Sequence, residues 1–207
     1  TNSTLAGALA ASKLRLPVVH VEAGLRTTDF MMAEEINRVL TDNLSDVLFT
    51  PCKDASRVLR SEGIPEGRIV FSGDVMYDNT LHYADHLERD PEDVTGVEKG
   101  SYVLFTFHRA ENTDRRENLD AIVEAVKILS GETNVVIPLH PRTRAALLKR
   151  DLLTDIRESA RVVEPASYLR MLSLILGAKA VVSDSGGIPK EAFYLGIPSV
   201  TLRSEAI

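Results

Sequence analysis

Tyr-Val-Leu-Phe-Thr-Phe at residues 102–107 decides the fold, because it is an apolar run of strand length that ends at His108 and Arg109. Similar apolar runs recur along the chain, and segments of helical periodicity separate them. Nearly continuous apolar strands are typical of a parallel sheet that is buried on both faces. Their alternation with helices predicts right-handed β–α–β units and therefore a doubly wound α/β fold.

The pattern sets out the elements and a division between them. Strands are predicted at residues 17–22, 46–50, 68–72, 102–107, 134–139, 161–164, 178–183 and 199–202. Helices are predicted at residues 5–14, 33–44, 54–61, 114–129, 143–148, 168–176 and 190–195. Residues 85–100 are highly charged, contain Pro91, Gly96 and Gly100, and lack an apolar face, so we expect a linker or hinge there. This places one domain at residues 1–90 and a second at 91–207.

Composition excludes several classes of protein. The 207 residues are 44% hydrophobic and 26% charged, with a net charge of −6, which gives no electrostatic case for a nucleic-acid binder or an anionic-membrane binder. The longest apolar stretch, residues 172–182, is interrupted by Lys179 and is shorter than the ~18 residues of a membrane span. Cys52 is the only cysteine, so an intrachain disulfide is impossible. We expect a soluble, cytoplasmic protein without nucleic-acid or membrane partners.

Polar residues follow the predicted strands at the edge where α/β sheets bind ligands. They form the segments 22–26, 108–112, 140–143 and 183–187. Ser185-Gly186-Gly187 joins a strand to a helix, where two glycines permit close backbone approach and free amides attract phosphate oxygens. The segment is neither a Rossmann glycine motif nor a Walker A motif, and a plain strand–helix turn explains it equally well.

The cations and acids of these segments each allow two interpretations. His108 and His140 end apolar strands and would suit a phosphate or diphosphate, or would be ordinary capping or core histidines. None of the histidines has zinc-ligand spacing, so no metal is expected. Glu22 ends an apolar strand, where an unpaired carboxylate is costly. Glu34 and Arg38 have i,i+4 spacing, which is also that of a surface salt bridge.

Several motifs in this order resemble the non-hydrolysing UDP-N-acetylglucosamine 2-epimerases over the full length of the chain. They are residues 20–27 (HVEAGLRT), 34–38 (EEINR), 40–42 (LTD), 108–112 (HRAEN), 140–143 (HPRT) and 183–188 (SDSGGI). The resemblance implies the GT-B type of fold, in which two Rossmann-like doubly wound parallel sheets hold a nucleotide sugar in the cleft between them. The second domain would then bind UDP.

The resemblance also implies the reaction. The C2 proton of UDP-N-acetylglucosamine is removed and UDP is expelled, which leaves a 2-acetamidoglucal; reprotonation and return of UDP give UDP-N-acetylmannosamine. No metal or redox cofactor is required. By matching position, Glu22 and Glu34 would be the acid and base, His108 would contact the departing diphosphate, and Arg38 would support the substrate side or hold Glu34 in place.

The remaining implied roles concern the nucleotide. The diphosphate cradle would be Ser185, Gly186 and Gly187. Glu191 would accept the ribose hydroxyls, and the uracil pocket would include Ala166 and Met171. His140 matches a position associated with an allosteric site, a role that we do not assign. The family also implies a homodimer.

The sequence departs from the family at specific positions. Ala33 replaces the usual proline before the two glutamates, and Pro189-Lys190 replaces the usual Gln-Glu before Glu191. The Asp of the family's Gly-Asp-Thr turn would fall immediately before Thr1. We therefore expect a fragment truncated at both ends, inactive or impaired as it stands.

Alternative functions remain open from the sequence. They are an epimerase of a related UDP-sugar such as a UDP-diacetamido-uronic acid, a GT-B glycosyltransferase that uses a UDP-sugar, and a nucleotide-sugar-binding fragment without turnover. Acids flanking C2 are less needed by a glycosyltransferase, so Glu22 and the Glu34-Glu35 pair favour an epimerase.

Overall fold

Two parallel sheets with helices around each form the described part of this computed structural model, which comprises residues 2–27, 32–87 and 91–202. The predicted α/β fold is confirmed. The chain divides into two compact units, Thr1–Asp78 and Asn79–Ala206. This division falls inside a helix, Val75–Ala84, whereas the boundary predicted at residues 90 and 91 stays a prediction.

Unit 1 contains a three-stranded sheet in the order β1-β2-β3. Its strands are β1 Val19–Val21, β2 Val47–Thr50 and β3 Ile69–Phe71, all parallel, with His20 opposite Leu48. Its helices are α1 Asn2–Lys13, α2 Ala33–Leu44 and α3 Lys53–Ser61, a 3-10 turn Glu66–Arg68, and the start of α4 Val75–Ala84. The buried core consists of Ala23, Leu48, Leu59 and Ile64.

Unit 2 contains a five-stranded parallel sheet in the order β6-β5-β4-β7-β8. Its strands are β4 Tyr102–Thr106, β5 Asn134–Pro138, β6 Arg161–Val163, β7 Ala180–Ser183 and β8 Ser199–Thr201. The helices are α5 Pro91–Thr95, α6 Ala110–Thr113, α7 Arg116–Ser130, α8 Pro141–Lys149, α9 Leu153–Ser159, α10 Tyr168–Gly177 and α11 Ile188–Tyr194.

The centre of the second sheet is the place where strand order reverses. All five residues of β4 are buried, as the apolar run predicts. The chain moves outward from β4 through β5 to β6, then crosses to the other side for β7 and β8. The carboxyl ends of β4 and β7 are therefore the topological switch point, where open α/β sheets bind ligands.

Part of the predicted linker is a helix of unit 2. Pro91 and Thr95 of α5 are buried, and Thr95 Oγ1 donates a hydrogen bond to the carbonyl of Pro91 at 3.0 Å. Pro91 packs against α10 so closely that a Cβ at Gly177 would lie 2.6 Å from the proline ring. Residues 88–90 of the predicted linker lie outside the described residues. None of the helices in the described ranges is long and apolar enough to cross a membrane.

Candidate active site

The turn after β1 holds Glu22 in an unusual backbone conformation. Glu22 has φ 65°, which is in the left-handed region and costs a non-glycine residue ~1–2 kcal/mol. Gly24 follows with φ 79°, and a Cβ added there would lie 2.5 Å from the Ala55 carbonyl oxygen of α3. Only glycine fits between this turn and α3. The compressed turn therefore fixes the direction in which the chain leaves the sheet.

Asp42 on α2 ties this turn to the helix. The side chain is fully buried. One carboxylate oxygen lies 2.6 Å from Nδ1 of His20, and the other accepts the Gly24 amide at 3.2 Å and lies 2.8 Å from Nη1 of Arg26. Three groups from the 20–26 segment thus meet one carboxylate of α2. The sequence motif contained Asp42, but sequence reasoning assigned it no function.

Arg26 is held by the carboxylates of Asp42 on α2 and of Glu62, the residue that follows α3. Besides Asp42 it donates to both carboxylate oxygens of Glu62, at 2.8 and 2.6 Å. Burial acts to lower the pKa of Arg26, but the hydrogen bonds and negative charges of Glu62 and Asp42 outweigh it and raise the pKa above its ordinary value. The guanidinium is therefore a permanent cation that positions the segment.

Glu35 makes a second connection between the segment and α2. It is 2% exposed, and its Oε2 accepts the Thr27 amide at 3.1 Å and lies 3.6 Å from Nη1 of Arg38. Arg38 therefore pairs with Glu35 through i,i+3 spacing, and Glu34 forms no ion pair with any residue in the described ranges. The Glu34–Arg38 salt bridge that i,i+4 spacing suggested is wrong, and so is the expectation that Arg38 holds Glu34 in this way.

Glu22, Glu34 and Arg38 line one pocket of unit 1. Its volume is about 320 Å³, and His20 also lines it. The other lining residues are Thr4, Val21, Leu25, Asn37 and Thr41. Two carboxylates and a guanidinium in one pocket can exchange protons with a bound molecule and stabilise negative charge on it. The structure thus places in one pocket the two acids that the resemblance paired as acid and base.

In unit 2, Asp184 organises the carboxyl ends of β4 and β7. It is fully buried and follows β7 directly. Its carboxylate accepts the backbone amides of His108 at 3.0 Å and Arg109 at 2.9 Å, and the side-chain amide of Asn112 at 2.9 Å. Asp184 belonged to a quoted motif, but no role was assigned to it. The available signal was its position, an acid directly after an apolar strand.

Asp184 also helps to orient His108, which lies beside His140. Nδ1 of His108 is 3.3 Å from the carboxylate, and the two imidazole rings are 5.1 Å apart between centroids. His140 caps α8, since its Nδ1 accepts the Arg142 amide at 3.1 Å. Partial desolvation and the nearby charges of His108 and Arg142 lower the pKa of His140. The structure supports the capping interpretation for His140 and leaves His108 half-buried at the switch point.

The turn after Asp184 is a strand–helix turn with one unused amide. The hydroxyl of Ser185 accepts the amides of Gly187 at 3.3 Å and Ile188 at 3.5 Å, so it caps the start of α11. Gly186 is exposed, and its amide donates to no residue in the described ranges. An oxyanion could accept this amide, whereas the Gly187 amide is already used by Ser185.

The predicted nucleotide residues lie at two places along the same sheet edge. Glu191 is buried on α11, and that burial raises the pKa of its carboxyl. Ala166 and Met171 lie at the junction of β6 and α10, half-buried against the core. These two places adjoin, because α10 packs against α11 and both Ala166 and Met171 pack against the hydrophobic cluster that contains Ala192 of α11.

With this geometry established, comparison with known proteins identifies the class. The family model described as UDP-N-acetylglucosamine 2-epimerase matches residues 1–206. The chain belongs to this family, and the resemblance is confirmed. A UDP-N-acetylglucosamine 2-epimerase homologue of Methanococcus maripaludis is 46% identical over 99% of this chain. A UDP-2,3-diacetamido-2,3-dideoxy-D-glucuronate 2-epimerase of Pseudomonas aeruginosa is 45% identical over 99% of it.

The fold agrees with solved structures of the family. The Methanocaldococcus jannaschii UDP-GlcNAc 2-epimerase, solved in complex with UDP-GlcNAc and UDP, is 40% identical and superposes with a TM-score of 0.87 over 99% of this chain. The neighbours are of the GT-B type, as the resemblance implied. The chain spans 58% of the Methanocaldococcus chain and 58% of the Methanococcus relative.

Proposed function

We propose that this protein takes part in the interconversion of UDP-N-acetylglucosamine and UDP-N-acetylmannosamine. The observation that carries the proposal is the pocket that Glu22 and Glu34 share, in a chain that belongs to this epimerase family. The relatives' names and the UDP-GlcNAc and UDP in a solved relative support the choice of substrate.

The proposed chemistry assigns the pocket acids to C2 of the sugar. One carboxylate takes the C2 proton while the C1–O bond breaks toward UDP, and the electron pair of the C2–H bond forms the C1=C2 double bond. The other side chain, which begins the cycle as a carboxylic acid, gives its proton to the opposite face of C2 as a UDP oxygen adds again to C1. Positioned acids and bases contribute roughly 10²- to 10⁴-fold to such a step. Glu22 and Glu34 are the proposed acids, and Arg38 is the proposed cation on the substrate side.

Unit 2 is proposed to hold UDP at the switch point of its sheet. His108 would donate to the departing diphosphate, and the amide of Gly186 would bind one of its oxygens. Its neighbours in the cradle would be Ser185 and Gly187. Glu191 would accept the ribose hydroxyls, and the uracil would lie against Ala166 and Met171. The buried Asp184 supports these roles, since it fixes the backbone that carries His108.

The test is proton NMR of UDP-N-acetylglucosamine in deuterated water, with this chain and with the protein at its relatives' full length. We expect deuterium at C2 together with the manno epimer, at least in the longer protein. Glu22→Gln and Glu34→Gln should each abolish the exchange and leave UDP affinity within several-fold, because the UDP residues lie in unit 2. Glu117→Gln, an exposed acid on α7, is the matched control. Exchange at the parent rate in either site variant would remove that acid from the mechanism.

A related sugar is a second candidate substrate. The Pseudomonas relative named for UDP-2,3-diacetamido-2,3-dideoxy-D-glucuronate is 45% identical, against 46% for the Methanococcus homologue, so identity does not separate the two. The same NMR experiment with this uronate decides between them. Faster C2 exchange in the uronate than in UDP-N-acetylglucosamine would reassign the substrate.

The family resemblance also supports three further proposals. We propose that the protein acts in the cytoplasm as a homodimer, and that its product supplies polysaccharide biosynthesis. Light scattering of the purified protein tests the dimer, since a monomer at micromolar concentration would contradict it.

A further inference from the structure

His20 lines the proposed acid pocket, and the mechanism above gives it no role. It lies in the middle of β1, two residues before Glu22, and its side chain is 15% exposed. Glu22, Glu34 and Arg38 share the pocket with it. The imidazole therefore lies in the same pocket as two carboxylates, and the partners of its two nitrogens determine what it can bind.

The hydrogen bonds around Asp42 fix the tautomer of His20. The Arg26 guanidinium and the Gly24 amide can only donate, and both contact one oxygen of the Asp42 carboxylate. Paired with the permanent cation Arg26, Asp42 is an ionised carboxylate that can only accept, and Nδ1 of His20 lies 2.6 Å from its other oxygen. Nδ1 of His20 carries the hydrogen, and a buried carboxylate holds the ring in place.

The other nitrogen, Nε2, is left for a ligand. It has no hydrogen-bond partner among the residues in the described ranges. In the neutral ring with Nδ1 protonated, Nε2 is an acceptor that suits a hydroxyl or amide N–H. A 2-acetamido sugar carries both kinds of donor around C2 and C3. The negative charge of the carboxylates does not by itself select one orientation of the sugar ring in the pocket. A hydrogen bond to an imidazole nitrogen that is held in place does select one, because it fixes the direction of the donor group on the sugar.

We infer that His20 is a substrate-positioning residue, whose Nε2 accepts a hydrogen bond from a hydroxyl or the acetamido N–H of the bound sugar and so orients C2 toward Glu22 and Glu34. The inference rests on the proposed function, because it takes the pocket to be the sugar site. Asp42 acts one step further away, by holding the ring.

Two substitutions separate positioning from a merely structural role. His20→Asn keeps an N–H near the place of Nδ1, so Asp42 remains satisfied, but it removes Nε2. His20→Gln places an amide near Nε2 and gives up the bond to Asp42. We expect His20→Asn to unfold at the parent's urea concentration and to bind UDP as the parent does, while its C2 exchange falls by about tenfold or more. Exchange at the parent rate in His20→Asn would overturn the inference, because His20 would then serve only to satisfy Asp42.

A second readout does not depend on turnover. In ¹⁵N-histidine NMR, the His20 signals are assigned by their loss in His20→Asn. UDP-N-acetylglucosamine should shift the Nε2 resonance of His20, and UDP, which lacks the sugar, should leave it in place. With the protein at its relatives' full length as the parent, a shift without C2 exchange would support the sugar contact and contradict the epimerase chemistry. Exchange without a shift would contradict the role of His20 alone, and the absence of both would overturn both proposals.

Discussion

Asp184 is the residue on which the unit 2 site depends most. One buried carboxylate receives donors from three residues of the β4–α6 segment. In Asp184→Asn, an NH₂ group replaces one acceptor oxygen and faces backbone amides that also donate. We expect the free energy of unfolding to fall by about 3 kcal/mol, measured by urea denaturation. Asp120 is exposed and pairs with Arg116 on the surface, so Asp120→Asn is the control. Its free energy of unfolding should stay within about 0.5 kcal/mol of the parent's value. Equal stability of Asp184→Asn and the parent would contradict the anchoring role.

Glu191 should make stability depend on pH in the opposite sense to a salt-bridged acid. Burial raises the pKa of its carboxyl above the ordinary value of 4.5, so the folded state holds the proton more tightly than the unfolded state. The free energy of unfolding contributed by this group therefore falls as the pH rises from about 4.5 through the raised pKa. Glu191→Gln should flatten this slope and be at least as stable as the parent at pH 7. Urea titrations of both proteins from pH 4 to 8 measure this pH dependence. Equal slopes of the free energy of unfolding against pH in the parent and in Glu191→Gln would contradict the prediction.

Adjacent acids show where residue-level inference from sequence stops. Glu34 and Glu35 both lie one helical turn from Arg38, and i,i+3 and i,i+4 pairs are equally compatible with a helix surface. Which glutamate pairs with Arg38 depends on a residue outside the helix. The Thr27 amide donates to the buried Glu35 carboxylate, and Arg38 pairs with that same carboxylate. No spacing rule within residues 33–44 contains that information. The role of Asp42 was not predicted for the same reason, since its partners lie on β1 and in the turn after β1, outside its own helix.

At the scale of elements, Gly24 sets how closely the β1 turn approaches α3. Gly24→Ala should lower the free energy of unfolding by at least about 2 kcal/mol, because the residue has φ 79° and the new methyl group would meet the Ala55 carbonyl oxygen at 2.5 Å. Gly7→Ala is the matched control: beyond the adjoining residues and backbone of α1 itself, no atom of the described residues lies within 4 Å of the added Cβ, so this change should stabilise by about 0.5–1 kcal/mol. The unfolding temperatures of the two variants should shift in opposite directions from that of the parent. A shift in the same direction would contradict the close approach of the β1 turn to α3.

The sequence predicts the buried strands of unit 2 well and misses several helices. The apolar runs at β4, β5 and β7 fix those strands, because buried parallel strands leave a nearly continuous apolar signal. The helices α4, α5, α6 and α9 were not predicted. Short helices of this kind are stabilised by tertiary packing rather than by their own periodicity. Leu153 and Ile156 of α9 are buried against the sheet core, and Pro91 of α5 is buried against α10, contacts that local sequence does not display.

At the scale of the whole molecule, the candidate functional residues form two sets, one on each compact unit. The proposed division of labour predicts where UDP changes hydrogen exchange. Adding UDP should slow amide exchange at residues 108–112 and in the first turn of α11, and leave α2 unchanged, because the nucleotide residues are proposed to lie only in unit 2. Mass spectrometry of exchanged peptides reads both regions in one sample. Protection confined to α2 would contradict the assignment.

The left-handed conformation of Glu22 also bears on how this sequence can change over generations. Mutations to Gly or Asn would relieve the backbone at this position, so selection for a more stable protein favours them. The same mutations delete the proposed acid, so selection for turnover opposes them. Position 22 is therefore a point where the two pressures conflict. In a lineage that no longer needs the reaction, we expect the glutamate to be among the first residues of the pocket to be replaced, by a residue that the strained turn prefers.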